Sequence, residues 1–289
     1  MTLLSILIGL ALEYFLGALD RIRNFTWFDQ YSEWLELRCS HYSIWPGPAG
    51  VLLTLAGPLL VLMLIASGLG RISVVITFFL TVFIFVYSLG PELNNLINRY
   101  VAALEGDNDT EIREIEERLT CVSPADEEGK VTVIKSILIR AHEHIFGIIF
   151  WFIVLGMTGA MLYCLVVRMK YKFNEIHGGY ADAIRDLHSL LMWPSARLQA
   201  LGYALGGSLV DALEGWREVD GYTLDCSEEI IATSGLCAIQ FQTSDPDAGV
   251  EGMSNTYIEC IREAQALVNR TLIVWLTALG IMTLGGWLA

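Results

Sequence analysis

The sequence predicts an all-α chain that crosses a membrane several times. Four stretches, 48–70, 72–91, 145–167 and 271–289, carry no formal charge. A helix of about 20 residues rises roughly 30 Å, the hydrocarbon thickness of a bilayer. Composition agrees, with 54% of the 289 residues hydrophobic and only 17% charged, which is too apolar for an ordinary soluble domain. Lys and Arg number 18 against 32 Asp and Glu, a net charge of −14. Such a chain repels phosphate backbones, so nucleic acid is excluded as a partner. The partner that the sequence implies is the lipid bilayer.

The elements follow in order. Residues 1–17 are apolar apart from Glu13. No basic residue precedes them and no small-residue cleavage site follows, which speaks against a cleaved signal peptide. Unpaired at mid-membrane, Glu13 would cost about 2.5 kcal/mol or more. Two readings stand: a short first span with Glu13 packed against a partner, or an interfacial helix. Residues 18–47 read as a polar loop. Arg71 is the only charge between the next two runs, so 48–91 reads as a transmembrane hairpin, with Pro58 removing one helix bond and Gly90-Pro91 ending the second arm.

Residues 92–144 form an acidic helical segment outside the membrane. A helix to about Glu105 and a break at 106–109 precede a charged helix over 111–119, with Asn108 and Glu111 as a capping box and Glu114–Arg118 as an i,i+4 pair. A loop over 123–129 follows. From Val131 the chain is apolar, interspersed with Lys135, Arg140 and Glu143, and enters a single span over 145–167. Residues 168–270 form a second helical extramembrane segment with an amphipathic pair over 181–216. Tyr180, Ala183, Ile184, Leu187 and Leu191 share one face at helical spacing. Trp193-Pro194 interrupts, and Leu198, Leu201, Leu205, Leu209 and Leu213 form the second face. Gly202 and Gly206, four apart, let another helix approach closely. This pair either lies on the membrane surface or packs on the spans. A helix over 252–270 runs into the final span, 271–289. Lys and Arg near the span ends point both ways, so the orientation stays open.

The motifs exclude more than they assign. The six cysteines lack C-x-x-C or zinc spacing. Cys226, Cys237 and Cys260 share one loop, where a disulfide stays open, and Cys164 reads as a small buried hydrophobe. His142-Glu143-His144 is not H-E-x-x-H, and residues two apart on a helix face different ways, so a polar collar at the membrane interface is expected rather than a metal site. Asp107, Asp109 and Glu111 imitate a calcium loop, but Ile112 stands where Gly is needed and Arg118 where a bidentate Glu belongs. No phosphate loop or nucleophile elbow is present. Arg185-Asp186 reads as a solvated ion pair. No metal-ligating set and no cofactor is expected.

Several stretches carry a resemblance. They are Tyr87-Ser88-Leu89-Gly90-Pro91-Glu92-Leu93, then Tyr100-Val101-Ala102-Ala103-Leu104-Glu105-Gly106-Asp107, and Phe150-Trp151-Phe152 with Gly159-Ala160-Met161-Leu162-Tyr163. The most specific run is Leu187-His188 through Trp193, then Ala196-Arg197-Leu198-Gln199-Ala200-Leu201-Gly202-Tyr203-Ala204-Leu205, Gly207-Ser208 and Asp211-Ala212-Leu213-Glu214-Gly215-Trp216. Together they resemble the AmpE family of bacterial inner-membrane proteins, over most of 1–217 and the final span. That resemblance implies a multi-pass regulator of β-lactamase induction, linked in function to an AmpD-type amidase pathway and cell-wall recycling. AmpE is in turn similar to the CobD/CbiB synthases, ATP-dependent amide-forming membrane enzymes of cobamide synthesis. Here the chain departs from the synthase pattern. Of its V-E-S-x-A-E-N-x-x-D stretch, Ser136 and an acid at Glu143 survive, while Lys135 replaces the first Glu and Ile139-Arg140 replace Glu-Asn. Where the synthases carry N-T-x-D-S after the span, this chain has Val167-Arg168-Met169-Lys170-Tyr171. Carboxylates suited to Mg²⁺–nucleotide handling are thus replaced.

The reading is a non-enzymatic inner-membrane modulator of the AmpE type, with the amphipathic pair as its moving part. The candidate ligand or partner pocket comprises Glu13, Ser136, Arg140, Glu143, Arg185, Asp186, Trp193 and Arg197, with no catalytic residue among them. Homo-oligomerisation stays open. The alternatives are a CobD/CbiB-like amide-forming enzyme and a small-molecule or lipid transporter. The latter requires charges buried between spans, of which the sequence offers almost none beyond Glu13.

Overall fold

The computed structural model describes residues 2–16, 23–39, 45, 47–90, 93–106, 108–120, 127–174, 176, 178–219, 223–224, 226–240 and 250–286. Every regular element among them is a helix. Four helical stretches, Pro48–Ile72, Val74–Glu105, Lys130–Leu155 and Thr256–Leu284, are long and apolar enough to cross a membrane. The chain is a polytopic helical membrane protein. It forms two compact units, one of residues 1–91, 143–192 and 282–289, the other of 92–142 and 193–281.

In the first unit α1 (Thr2–Leu16) packs on α4 (Val74–Ser88). Gly9 permits the approach, since a Cβ there would lie 2.5 Å from the Phe85 ring. Glu13 near the end of α1 is paired with Arg23, whose Nη1 also donates to the Gly90 carbonyl at 2.6 Å. The carboxylate therefore has a partner, as the first of the two readings of α1 requires. α3 (Pro48–Ile72) and α4 form the expected hairpin, turning at Ser73 in extended conformation. Leu64, Val75 and Phe79 lie on the outside of this hairpin, as suits a lipid-facing surface.

Two expectations fail in this unit. Residues 18–47 are not all loop: α2 (Thr26–Cys39) opens with the Thr26 amide donating to the Asn24 side chain at 2.9 Å, and buries Phe28, Ser32 and Leu35. The uncharged stretch 145–167 is not one span. α8 (Gly147–Leu155) stops at Gly156, whose φ of +67° and ψ of −152° suit only glycine. The chain then reverses into α9 (Met157–Lys172), which packs back on α8. Gly159 makes this tight turn feasible, because a Cβ there would meet the Trp151 carbonyl at 2.2 Å. Absence of charge says that a stretch belongs in lipid; it does not say that the stretch is straight.

In the second unit α5 (Leu93–Glu105), α6 (Asp109–Thr120) and α7 (Glu127–Ala141) pack together. The Asn108–Glu111 box and the Glu114–Arg118 pair form as expected. Residues 123–126 of the expected loop lie outside the described residues, and α7 has already begun at Glu127. α11 (Leu209–Glu218) packs on α12 (Ser227–Ala238), and α12 on α7 with Gly235 beneath Leu138. α12 was not evident from periodicity. Cys226, Cys237 and Cys260 are free thiols. α13 (Val250–Leu284) is a single 35-residue helix running into the final span, as expected.

α10 (Gly179–Gly206) continues through Trp193-Pro194 without interruption, which corrects the expected break. Pro194 has no N–H, so the Leu190 carbonyl, four residues earlier in the preceding turn, loses its usual helical donor. In that turn the Leu191 carbonyl accepts the Trp151 indole N–H at 3.0 Å. The leucine face is also reversed: Leu198, Leu201, Leu205 and Leu209 point outward, while Ala196, Ala200, Tyr203 and Ala204 are buried.

Candidate functional site

The site in the first unit begins with a helix irregularity. After α7 the chain makes a π-helical turn, His142–Phe146, before α8. Such wide turns insert a residue and re-aim the side chains around it, and they recur at functional sites. Glu143 and His142 are fully buried, so the expected polar collar at the membrane surface is overturned. The extra residue turns them inward instead. His144 packs against Gly90, where a Cβ would lie 2.1 Å from Nδ1 of the ring, and the Gly90 amide donates to the His144 carbonyl at 3.1 Å.

A buried carboxylate needs compensation, because removing it from water costs several kcal/mol. α9 and α10 supply it. Lys170 Nζ lies 2.8 Å from Glu143 Oε1, and the Tyr171 hydroxyl donates to Oε2. His188 Nε2 lies 3.2 Å from Oε1. Lys170 and Tyr171 belong to the last turn of α9, which reaches Glu143 only because the chain reverses at Gly156.

Glu143 and His144 line a cavity of about 630 Å³ within this unit. Phe25, Leu89, Ile148 and Val167 give it an apolar wall, and Arg23, Asp29, Glu33, Arg168 and Lys172 a charged one. The charges are mutually paired. Arg168 binds Asp29, while Lys172 lies 3.1 Å from Glu33 and 3.2 Å from Ser32. These bonds tie α2 to the end of α9. Cys164 lines the same cavity rather than sitting in a packed core.

Of the eight residues picked from the sequence, Glu143 sits at this cavity, and Glu13 reaches it through Arg23. Arg185 pairs with Asp182 rather than Asp186, which is exposed. Neighbouring residues on a helix diverge, whereas i and i+3 meet. The other four residues belong to the second unit. Arg140 Nε donates to the Leu119 carbonyl at 2.9 Å, satisfying the end of α6. The Arg197 guanidinium lies 4.1 Å over the Trp193 ring. Ser136 is half-buried on α7. His142 Nε2, fully buried, lies 3.0 Å from Ser195 Oγ.

Sequence reasoning missed Arg23, Asp29, Arg168, Lys170, Tyr171, Lys172 and His188. The signal was present: three cations and a tyrosine crowd the end of an uncharged stretch. They read as a marker of orientation because that stretch read as straight.

Comparison with known proteins adds one relationship. The chain is 40% identical over 99 residues to the cobalamin biosynthesis protein CobD of Chromobacterium violaceum, covering 32% of this chain and 30% of that protein. It is 32% identical over 116 residues to the protein of the same name from Stutzerimonas stutzeri, covering 37% and 38%. Part of the chain is similar to CobD. The chain spans about a third of the length of these curated relatives. No model of a known protein family matches it, and no solved structure does.

The CobD resemblance raises the question of a Mg²⁺–nucleotide site. Lys170 stands where the resemblance to the synthases leads one to expect an acid, and its ammonium lies 2.8 Å from Glu143, which lines the cavity. Within the first unit, therefore, a carboxylate already held by an ammonium is a poor ligand for Mg²⁺, which needs several oxygen ligands.

Proposed function

We propose that this chain is an inner-membrane regulatory protein of the AmpE type. It binds a small amphipathic molecule in the cavity of the first unit and modulates β-lactamase induction without catalysing a reaction. The observation that carries this reading is the Lys170–Glu143 pair. A cation replaces an acid of the synthase pattern and neutralises the acid that survives. The remaining carboxylates of the wall, Asp29 and Glu33, are also held by cations. A wall of paired charges beside an apolar wall suits recognition.

The test is deletion of the gene in its host, with β-lactamase activity followed with and without a β-lactam inducer. The expected result is an altered induced level, restored by the wild-type chain and not by Cys164→Trp, which fills the cavity. Unchanged induction after deletion would overturn the reading. The similarity to CobD favours a second one, an amide-forming enzyme of cobamide synthesis. Purified protein that couples an amino-alcohol phosphate to a cobyrate-type acid, dependent on ATP, would establish that instead.

A further inference from the structure

Residues 193–206 of α10 are packed the wrong way round for water. Ala196, Gln199, Ala200, Tyr203 and Ala204 are buried, whereas Leu198, Leu201 and Leu205 are 46%, 41% and 64% exposed. A helix beside water turns its leucines in and its glutamine out. Lipid reverses the preference: small residues mark helix contacts, and large aliphatic side chains face the acyl chains.

The helix contacted is α13. A Cβ on Gly202 would lie 2.8 Å from Thr271 Cγ2 and 2.9 Å from Trp275 Nε1, and one on Gly206 2.9 Å from Thr271 Oγ1. The Thr271 hydroxyl donates to the Gly202 carbonyl at 3.3 Å. Thr271 and Trp275 belong to the apolar stretch Thr256–Leu284. Leu201 and Leu205 precede the two glycines by one residue, about 100° round the helix. They therefore flank the seam and meet whatever medium bathes the outward side of α13, where Ile273 is also exposed. Residues 198–209 carry no formal charge. Arg197, just before them, is held to its own helix by the Trp193 ring and carbonyl.

We propose that residues 198–206 lie in the hydrocarbon of the bilayer, seated through Gly202 and Gly206 on the C-terminal span, with Leu198, Leu201 and Leu205 against lipid acyl chains. This intramembrane segment adds to the four apolar stretches. It is independent of the regulatory reading. Hydropathy misses it because its glycines and Gln199 dilute the leucines, and these are the residues that the helix contact buries.

The test is photocrosslinking of the full chain in native membranes, with p-benzoylphenylalanine in place of Leu201 or Leu205, one at a time. Intact-mass measurement is expected to show adducts of one phospholipid at both positions. Leu64 on α3 should give the same adduct, and Glu214 on α11 should give none. No adduct at 201 and 205 where Leu64 gives one would overturn the proposal. So would a crosslinked dimer, which would assign the face to a second copy of the chain. A measurement without substitutions guards against misfolding: vesicles carrying an acyl-chain diazirine lipid should label the 198–205 peptide of the wild-type chain. Labelling of α3 alone would overturn the proposal equally.

Discussion

Lys170 Nζ and Glu143 Oε1 lie 2.8 Å apart although 27 residues separate them in the chain, with Glu143 fully buried and Lys170 partly buried. The pair is compensated on both sides, since Tyr171 and His188 also face the carboxylate. Such pairs contribute little net stability relative to an apolar replacement, but removing one partner strands a charge.

Lys170→Met is therefore expected to destabilise the protein by about 3–5 kcal/mol. Lys170→Met combined with Glu143→Gln should recover most of that loss, because no charge is left unpaired. Unfolding in mixed micelles, followed by tryptophan fluorescence, measures both. A double variant no more stable than the single would show that the pair is not what holds this region.

Gly156 carries the reversal between α8 and α9. Gly156→Ala forces an L-residue into a backbone region that glycine alone adopts freely, at a cost of about 1–3 kcal/mol. Gly159→Ala is expected to cost at least as much, since its Cβ meets the Trp151 carbonyl. Gly68→Ala is the contrast: it lies in α3, nothing stands within 4 Å of its Cβ, and alanine favours the helix. It should be neutral or stabilising in the same unfolding measurement.

Gly90→Ala pushes a methyl group into the His144 ring. The ring has to move, and His144 lines the cavity. The variant should accumulate in membranes yet fail to restore β-lactamase induction in the deletion strain, whereas Gly68→Ala should restore it. Full restoration by Gly90→Ala would separate the cavity from the function.

Asp211 in the second unit accepts from Ser208 Oγ at 2.6 Å and from Gln240 Nε2 at 2.8 Å. These bonds hold its carboxyl below the usual carboxylate range, the Ser208 bond contributing most. A carboxyl lowered on folding stabilises the fold above its unfolded value of about 3.9, and this is lost as pH falls through the lower folded value. The difference in thermal midpoint between wild type and Asp211→Asn should therefore be full at neutral pH and shrink below about pH 4. A difference independent of pH would refute the ionic basis of this contact.

The sequence determined by itself that the chain lives in a membrane. The uncharged runs over 48–70 and 72–91 become a helical hairpin because a helix satisfies its own backbone in lipid whatever surrounds it. The Asn108–Glu111 box and the Gly202/Gly206 spacing were legible for a similar reason, since each is set by residues three or four positions apart. The tertiary structure alone decided the site. Nothing local marks Gly156 as the point where an apolar stretch turns back, and only that reversal carries Lys170 and Tyr171 to Glu143. Charge pairing across 27 residues, and the burial that makes it matter, depend on where the backbone returns in space.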